Sequence, residues 1–160
     1  MRHLVLAHVS SQGSYRKAFR LHSHCPVCGS KVVREAGEAA SRCINANCPA
    51  RLKESLLHFA SRGVMNIDGV GEALVDQLVD RDIVRNVADL YDLKIEDLMS
   101  LERMGVKSAG NVIRNIDRSR ANPLPRVITA LGIRFVGERT AVFLAEAFGS
   151  MDALEHASLE

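Results

Sequence analysis

Three segments of this sequence carry the same pattern of apolar residues around a glycine, at a nearly constant spacing. In each segment an apolar residue stands four positions before the glycine, another stands directly before it, and another follows seven positions after it. The glycines are Gly71, Gly105 and Gly137, so the period is 34 and then 32 residues. A nearly fixed period of this length is typical of repeated supersecondary units, which bury their apolar faces against one another. The sequence therefore predicts a tandem array of short units.

Each unit is predicted to be a helix-hairpin-helix, because the pattern apolar-x-Gly-apolar-Gly opens a run with helical periodicity. The N-terminus of the second helix presents free backbone N–H groups, which hold phosphate without reading base sequence. The first copy has both glycines, Gly69 and Gly71, whereas Arg103 and Phe135 occupy the first glycine position in the other copies. These two replacements weaken the match there. The alternative is that the glycines are ordinary turn residues between packed helices, and three copies in register favour the motif.

The composition agrees with a mainly α fold. Apolar residues make up 47% of the chain and aromatic residues only 4%, without tryptophan, so the core is predicted to consist of aliphatic side chains in packed helices. Helix boundaries follow from prolines, glycines and apolar spacing. The first predicted helix starts at Pro49 and is closed by Gly63, and a second covers residues 106–120. A third has Asn122 as its N-cap and Pro123 as its first residue, and its apolar face includes Leu131. A fourth covers Thr140–Phe148 and is stopped by Gly149, and a further helix starts at Ser150.

Charge is strongly segregated along the chain, although the net charge is only +2. Residues 66–102 carry a net charge of −7, and residues 103–139 carry a net charge of +6. The first hairpin therefore lies in an acidic region and is predicted to bind a polyanion poorly, and it is expected to pack against its partner copy. The second and third hairpins are expected to contact phosphates. The predicted DNA-binding positions are Gly69, Gly71, Arg103, Gly105, Lys107, Arg134, Gly137 and Arg139, with Arg114, Arg118, Arg120 and Arg126 as further cations.

All four cysteines lie within 24 residues, as two close pairs: Cys25 and Cys28, then Cys43 and Cys48. Two such pairs separated by a short spacer can place four thiolates tetrahedrally around Zn²⁺. A four-thiolate shell leaves no open position, so the metal is expected to be structural. It would stabilise a segment that is too short to bury a core of its own.

Other interpretations of the cysteines are two disulfides or a redox Cys-x-x-Cys, and we weigh both lower. No secretory signal precedes the cysteines, and no βαβ pattern surrounds them. His24 and His58 are spare candidate ligands that are expected to be surface or packing residues. The first apolar run, over residues 4–7, is far too short to span a membrane, so a cytoplasmic chain without a membrane partner is expected.

The order of these features, over about residues 18–160, resembles the C-terminal half of bacterial NAD-dependent DNA ligases. The resemblance implies three regions: an unassigned segment over 1–17, a Cys₄ zinc finger over 18–49, and a helix-hairpin-helix domain over 50–160 that holds three of four expected motifs. The most specific runs are His24-Cys-Pro-Val-Cys-Gly, Cys48-Pro-Ala-Arg-Leu-Lys-Glu, His58-Phe-Ala-Ser-Arg, Leu101-Glu-Arg-Met-Gly-Val-Lys-Ser-Ala and Leu131-Gly-Ile-Arg-Phe-Val-Gly-Glu-Arg-Thr-Ala.

The resemblance also implies a function. Enzymes of this family seal nicks between a 3′-OH and a 5′-phosphate in DNA replication and repair, with NAD as the AMP donor and magnesium. This part is expected to grip nicked duplex DNA without sequence preference, and the four cysteines fall on the family's zinc positions. Family members also carry an adenylation domain with a Lys-x-Asp-Gly motif, an OB-fold and a BRCT domain, and the chain looks like a fragment without them.

No catalytic residue is predicted in this chain. None of its five lysines is followed by x-Asp-Gly, so the chain alone is expected to have no ligase activity. Two other classes of function stay open at this point. One is a stand-alone zinc and helix-hairpin-helix protein that binds or scaffolds a protein partner, and the other is a zinc enzyme, which would need an open coordination position.

Overall fold

The computed structural model describes residues 22–37 and 39–158, so the unassigned segment 1–17 lies outside the described residues. The described part holds one small hairpin and a series of short helices. None of these helices is long and apolar enough to cross a membrane. The elements are β1 (Val32–Val33), β2 (Arg42–Cys43), α1 (Pro49–Ala60), α2 (Glu72–Asp80), a 3₁₀ turn (Ala88–Asp92), α3 (Ile95–Met99), α4 (Val106–Ser119), α5 (Leu124–Ala130), α6 (Glu138–Phe148) and α7 (Met151–Glu155).

The helices pack as three successive pairs. Helix α1 lies against α2, α3 against α4, and α5 against α6, and a hairpin containing one of the repeated glycines joins each pair. This confirms the prediction of a mainly α fold with tandem helix-hairpin-helix units behind a cysteine-rich finger. Each key glycine is the extended N-cap of the second helix of its pair: Gly71 for α2, Gly105 for α4 and Gly137 for α6.

The three hairpins have the same backbone. In each, an N–H donates to the carbonyl oxygen three residues earlier. The N···O distances are 3.4 Å from Val70 to Ile67, 3.4 Å from Met104 to Leu101 and 3.0 Å from Val136 to Ile133. The third residue of each turn has a positive φ: 94° at Gly69, 61° at Arg103 and 64° at Phe135. This is the pattern of a type II turn, in which glycine is the preferred residue at that position. The expectation that Arg103 and Phe135 weaken the match is therefore wrong, because both residues adopt the left-handed conformation that the turn requires.

The main core lies within the first two helix pairs. Leu56, Leu78, Leu90 and Leu98 are fully buried, and α1, α2, the 3₁₀ turn and α3 each supply one of them. The third pair is more open. Leu131, predicted to line the apolar face of α5, is 45% exposed, because α5 ends at Ala130 and the chain turns outward into the hairpin.

Three predicted helix boundaries are wrong. Helix α6 begins at Glu138 instead of the predicted Thr140, with Gly137 as its N-cap. Hydrogen bonds explain the other two. Helix α1 ends at Ala60, before Gly63, because the N–H groups of Met65 and Ile67 fold back onto its last carbonyls. Asn122 is not a cap, since its amide donates to the carbonyl of Met65 at 2.8 Å and Pro123 takes the N-cap position of α5. Pro49 does begin α1, and Gly149 ends α6 with a left-handed φ of 72°.

We expect Gly69→Ala to destabilise the fold by about 2–4 kcal/mol. A Cβ at this position would lie 2.8 Å from Cγ2 of Val112, a buried and conformationally stiff side chain of α4, and alanine disfavours the left-handed φ. Urea unfolding followed by circular dichroism measures the change. Gly71→Ala is the matched control: no atom of the described residues lies within 4 Å of its added Cβ, and a loss of less than about 1 kcal/mol is expected. Equal losses in the two variants would contradict close packing of the first hairpin on α4.

Candidate zinc centre and nucleic-acid interface

A tight turn shapes the first cysteine pair. The N–H of Gly29 donates to the carbonyl of Cys25 at 2.9 Å, and the N–H of Cys25 donates to Ser30 at 2.7 Å. Gly29 has a φ of 69°, a conformation that glycine adopts without steric cost. The turn therefore holds Cys25 and Cys28 on the same side of the backbone, as the Cys-x-x-Cys-Gly sequence predicts.

The second pair is brought to the first by the strand hairpin and by the start of α1. Antiparallel pairing places Cys43 opposite Val32. Cys48 is the N-cap of α1 and is fully buried, and Pro49 occupies the first helical position. Arg51 of α1 donates to the carbonyls of Cys43 and Asn45 at 3.4 and 3.3 Å, which ties the finger to the helix.

The four sulfur atoms converge on one point. All four lie within 4.8 Å of one another, with 3.8 Å between Sγ of Cys25 and Sγ of Cys48, and 3.5 Å between Sγ of Cys28 and Sγ of Cys43. A tetrahedral zinc ion with Zn–S bonds of about 2.3 Å requires sulfurs about 3.8 Å apart. A disulfide requires about 2.05 Å, and all four cysteines are free. The donor set therefore fits a structural zinc ion and does not fit disulfides.

The surroundings of the four thiols give them unequal acidities. Hydrogen bonds from the side chain and backbone of Ser30 lower the pKa of Cys28 to about 5. Burial raises the pKa of Cys43 to about 11, and burial also raises the pKa of Cys48. Only a bound divalent cation would hold all four as thiolates, because its charge offsets both desolvation and mutual repulsion.

The two spare histidines lie outside this cluster. The group that could hold a metal within the described residues consists of the four cysteines alone. Nδ1 of His24 lies 3.0 Å from the hydroxyl of Ser23. Nε2 of His58 lies 3.0 Å from the carbonyl of Thr129, so this ring ties α1 to α5. Both are placed as the surface and packing residues that the sequence predicts.

The second hairpin offers an accessible cationic surface. Gly105, Arg103 and Lys107 are all exposed around the N-terminus of α4. The first N–H groups of any helix lack intrahelical acceptors and can donate to an anion. Among residues 22–37 and 39–158, Arg103 and Lys107 have no carboxylate partner, and neither does Arg118 further along α4.

Several of the predicted cations already have protein partners. Arg120 donates to the carbonyl of Tyr91 at 2.9 Å and lies over that ring, 4.6 Å from its centroid. Arg126 donates to the carbonyl of Arg62 at 3.0 Å, and Arg114 donates to the side chain of Asn111. Arg120 and Arg126 therefore act first as structural residues, because their guanidinium groups satisfy backbone carbonyls.

The third hairpin is connected to the zinc finger by a contact that the sequence did not predict. Arg134 forms an ion pair with Glu35, which lies just beyond β1, at 3.0 Å. Its guanidinium also lies 4.7 Å from the centroid of the Phe135 ring. Arg139 is exposed at the start of α6 and has no ion pair within the described part of the chain. Residue pairs 99 positions apart give no local sequence signal, so only tertiary structure brings Glu35 to this hairpin.

The first hairpin is built for packing. Asp76 and Asp80 of α2 pair with Lys53 of α1 at 3.0 and 2.7 Å, and the hydrogen bond to Asp80 is the main cause of the raised pKa of Lys53. The amide of Asn115 in α4 donates to the carbonyl of Asp68 at 2.9 Å. The hairpin that has both motif glycines, Gly69 and Gly71, thus lies against the second copy.

Comparison with known proteins agrees with this architecture. Residues 24–50 match the family described as the NAD-dependent DNA ligase C4 zinc finger domain. Residues 61–118 match a SAM-like helix-hairpin-helix tandem, and residues 126–160 match a helix-hairpin-helix motif. The tandem match covers the first two hairpins, which pack together, and the single-motif match covers the third.

Curated relatives give the same result over almost the whole chain. The chain is 83% identical over 152 residues to a DNA ligase of Solibacter usitatus, which covers 95% of this chain and 23% of that protein. It is 61% identical over 145 residues to a DNA ligase of Koribacter versatilis, and the match covers 91% of this chain and 22% of that protein. It is 49% identical over 152 residues to a DNA ligase of Bacillus subtilis, and the match covers 95% of this chain and 23% of that protein. The chain spans less than a quarter of the length of these relatives. Over the matched residues the chain corresponds to the C4 zinc finger and the helix-hairpin-helix domains of these DNA ligases.

Proposed function

We propose that this chain is the DNA-gripping part of an NAD-dependent DNA ligase and that it binds duplex DNA through backbone phosphates without reading base sequence. The observation that carries the proposal is the repeated hairpin. The same type II turn and glycine N-cap occur three times, and the two copies that follow the acidic region carry exposed cations. Similarity to DNA ligases over almost the whole chain supports DNA as the polyanion.

Phosphate contacts are assigned to the second and third hairpins. The N–H groups that follow Gly105 and Gly137 would donate to phosphate oxygens, and Arg103, Lys107 and Arg139 would neutralise their charge. Arg134 would act at the edge of this surface, from its position beside Glu35. The first hairpin would add only the N–H groups near Gly69 and Gly71, which lie beside the carboxylates of residues 68 and 72.

The zinc ion is assigned a structural role, with Cys25, Cys28, Cys43 and Cys48 as its ligands. The ion would hold the finger at the start of α1, so that Glu35 reaches the third hairpin. Four thiolates leave no position for water or substrate, which argues against a zinc enzyme.

The chemistry of sealing is assigned to other parts of the full-length protein. Joining a 3′-OH to a 5′-phosphate with AMP from NAD requires a nucleophilic lysine and magnesium-assisted phosphoryl transfer. The printed sequence contains no Lys-x-Asp-Gly. This chain would supply the grip on nicked duplex DNA in replication and repair, and it would not catalyse a step by itself.

A salt titration tests the grip. We expect the 160-residue chain to bind a fluorescein-labelled nicked duplex, with an affinity that falls steeply as salt rises. Each phosphate neutralised should contribute about 0.9 to the slope of log K against log salt, so three to five contacts predict a slope between about −3 and −4.5. Fluorescence anisotropy from 50 to 300 mM NaCl measures it, and an unrelated duplex sequence should give the same curve. A flat salt response would contradict the phosphate mechanism.

A further inference from the structure

The ring of Phe135 is the most exposed large apolar side chain of the described residues, at 85%. It lies at the tip of the third hairpin, on a backbone with a φ of 64°. An aromatic ring in water and a non-glycine residue in the left-handed region are both unfavourable. Within the described residues the contact given for this ring is the Arg134 guanidinium, 4.7 Å from its centroid, and the residue stays 85% exposed. Outliers of this kind are concentrated at functional sites.

The equivalent position of the first hairpin shows what a purely structural turn uses. Gly69 is required there because Val112 occupies the space where a side chain would begin. Glycine would serve the third hairpin equally well as a turn residue, yet this hairpin carries a phenylalanine that points into solvent. The side chain is therefore placed to contact something outside the described chain.

The surroundings of the ring are those of a nucleic-acid contact. The Arg134 guanidinium, which pairs with Glu35, lies 4.7 Å from the centroid of the ring. Because Phe135 is 85% exposed, most of the ring stays accessible. Gly137, the N-cap of α6, follows two residues after Phe135, and the exposed Arg139 lies in the first turn of that helix. A phosphate bound at this helix start would place the ring within reach of the neighbouring nucleotide.

We propose that Phe135 is an aromatic wedge that inserts between base pairs from the minor groove of the DNA held by the third hairpin, and this inference rests on the proposed function. Apolar side chains that enter the minor groove partly unstack a base step and bend the duplex. The cost of opening a step is lowest where stacking is already interrupted, so the wedge favours a step beside a strand break.

The test uses the 160-residue chain and a series of nicked duplexes, each with 2-aminopurine at one of the four positions that flank the break. Binding of the unmodified chain should raise 2-aminopurine fluorescence at one or two of these positions. Phe135→Gly, which keeps the turn, should abolish the rise and weaken binding to nicked duplex about tenfold, since one base–aromatic contact is lost. Phe143→Ala is the matched control, because it removes a 62% exposed ring from the middle of α6.

The outcomes separate this inference from the proposed function. Binding with unchanged fluorescence at all four positions overturns the wedge and leaves phosphate gripping intact. Equal affinities for Phe135→Gly and the unmodified chain also overturn it, and then assign the ring to a protein contact. Absence of binding by the unmodified chain overturns the proposed function and the wedge together. Thermal unfolding of Phe135→Gly checks that the fold is retained, and a lost fluorescence response in a folded variant supports the wedge.

Discussion

Replacing Cys48 by alanine is expected to unfold the zinc finger while the paired helices stay folded. Cys48 is fully buried at the junction of finger and helix, and a structural zinc site of this kind contributes about 10–16 kcal/mol of binding free energy that a segment of this size cannot replace. The buried core, by contrast, begins at Leu56 and contains no residue of the finger. Zinc content should fall from one ion per chain to none, while the helical circular dichroism signal is largely kept.

Chelation of the unmodified chain should reproduce this result, and nuclear magnetic resonance should show loss of dispersed signals over residues 22–48. His24→Ala is the matched control, because it changes a potential metal ligand next to Cys25 that lies outside the cysteine cluster. That variant should keep one zinc ion. A Cys48→Ala chain that retained both its zinc and its finger would contradict the four-thiolate site.

The double substitution Arg103→Glu with Lys107→Glu is expected to weaken binding to duplex DNA by about 100-fold or more near 0.1 M salt, since it removes two phosphate contacts and adds two repulsive charges. Both side chains are exposed at the second hairpin, so folding should be unaffected. Anisotropy titration measures the affinity, and the slope of the salt dependence should fall in magnitude by about two.

A matched control comes from the acidic region. Arg85→Glu with Lys94→Glu changes the net charge by the same amount, and Arg85 loses only an exposed ion pair with Asp82. The hydrogen bond from Arg85 is the main cause of the lowered pKa of Asp82, so the pKa of that carboxylate should rise in the control. DNA affinity should change less than about fivefold, through long-range charge alone. If the two double variants bind equally well, the interface lies elsewhere, as a protein-binding scaffold would predict.

Local signals carried most of the prediction of elements and of the metal site. The Cys-x-x-Cys-Gly turn, Pro49 at the start of α1 and Gly149 at the end of α6 depend on backbone preferences of a few consecutive residues. Such preferences can be recognised in a sequence without knowledge of the partners in space. The predicted helix over 106–120 matches α4 for the same reason.

Long-range contacts account for what the sequence missed. Asn122 was available as a cap, but the carbonyl of Met65, 57 positions away, takes its amide. Arg120 and Arg134 belong to a basic run that predicts phosphate contact, yet Tyr91 and Glu35 hold their guanidinium groups. A charged residue in a sequence indicates that its side chain will interact with an oppositely charged or polar group. The sequence does not show which such group lies close to it in the fold.

By itself, the sequence determined the repeated hairpin, the mainly α architecture and the four thiols, because each follows from spacing along the chain. The segregated charge predicted that the first copy packs, and the tertiary structure alone decided which contacts hold it in place. Val112 closes the space beside Gly69 and makes the first hairpin a packing element, whereas Phe135 at the equivalent position of the third hairpin is 85% exposed. The first and third hairpins differ because of close packing between elements that are far apart in sequence. A turn motif specifies the local backbone conformation, and long-range packing determines which residues surround it.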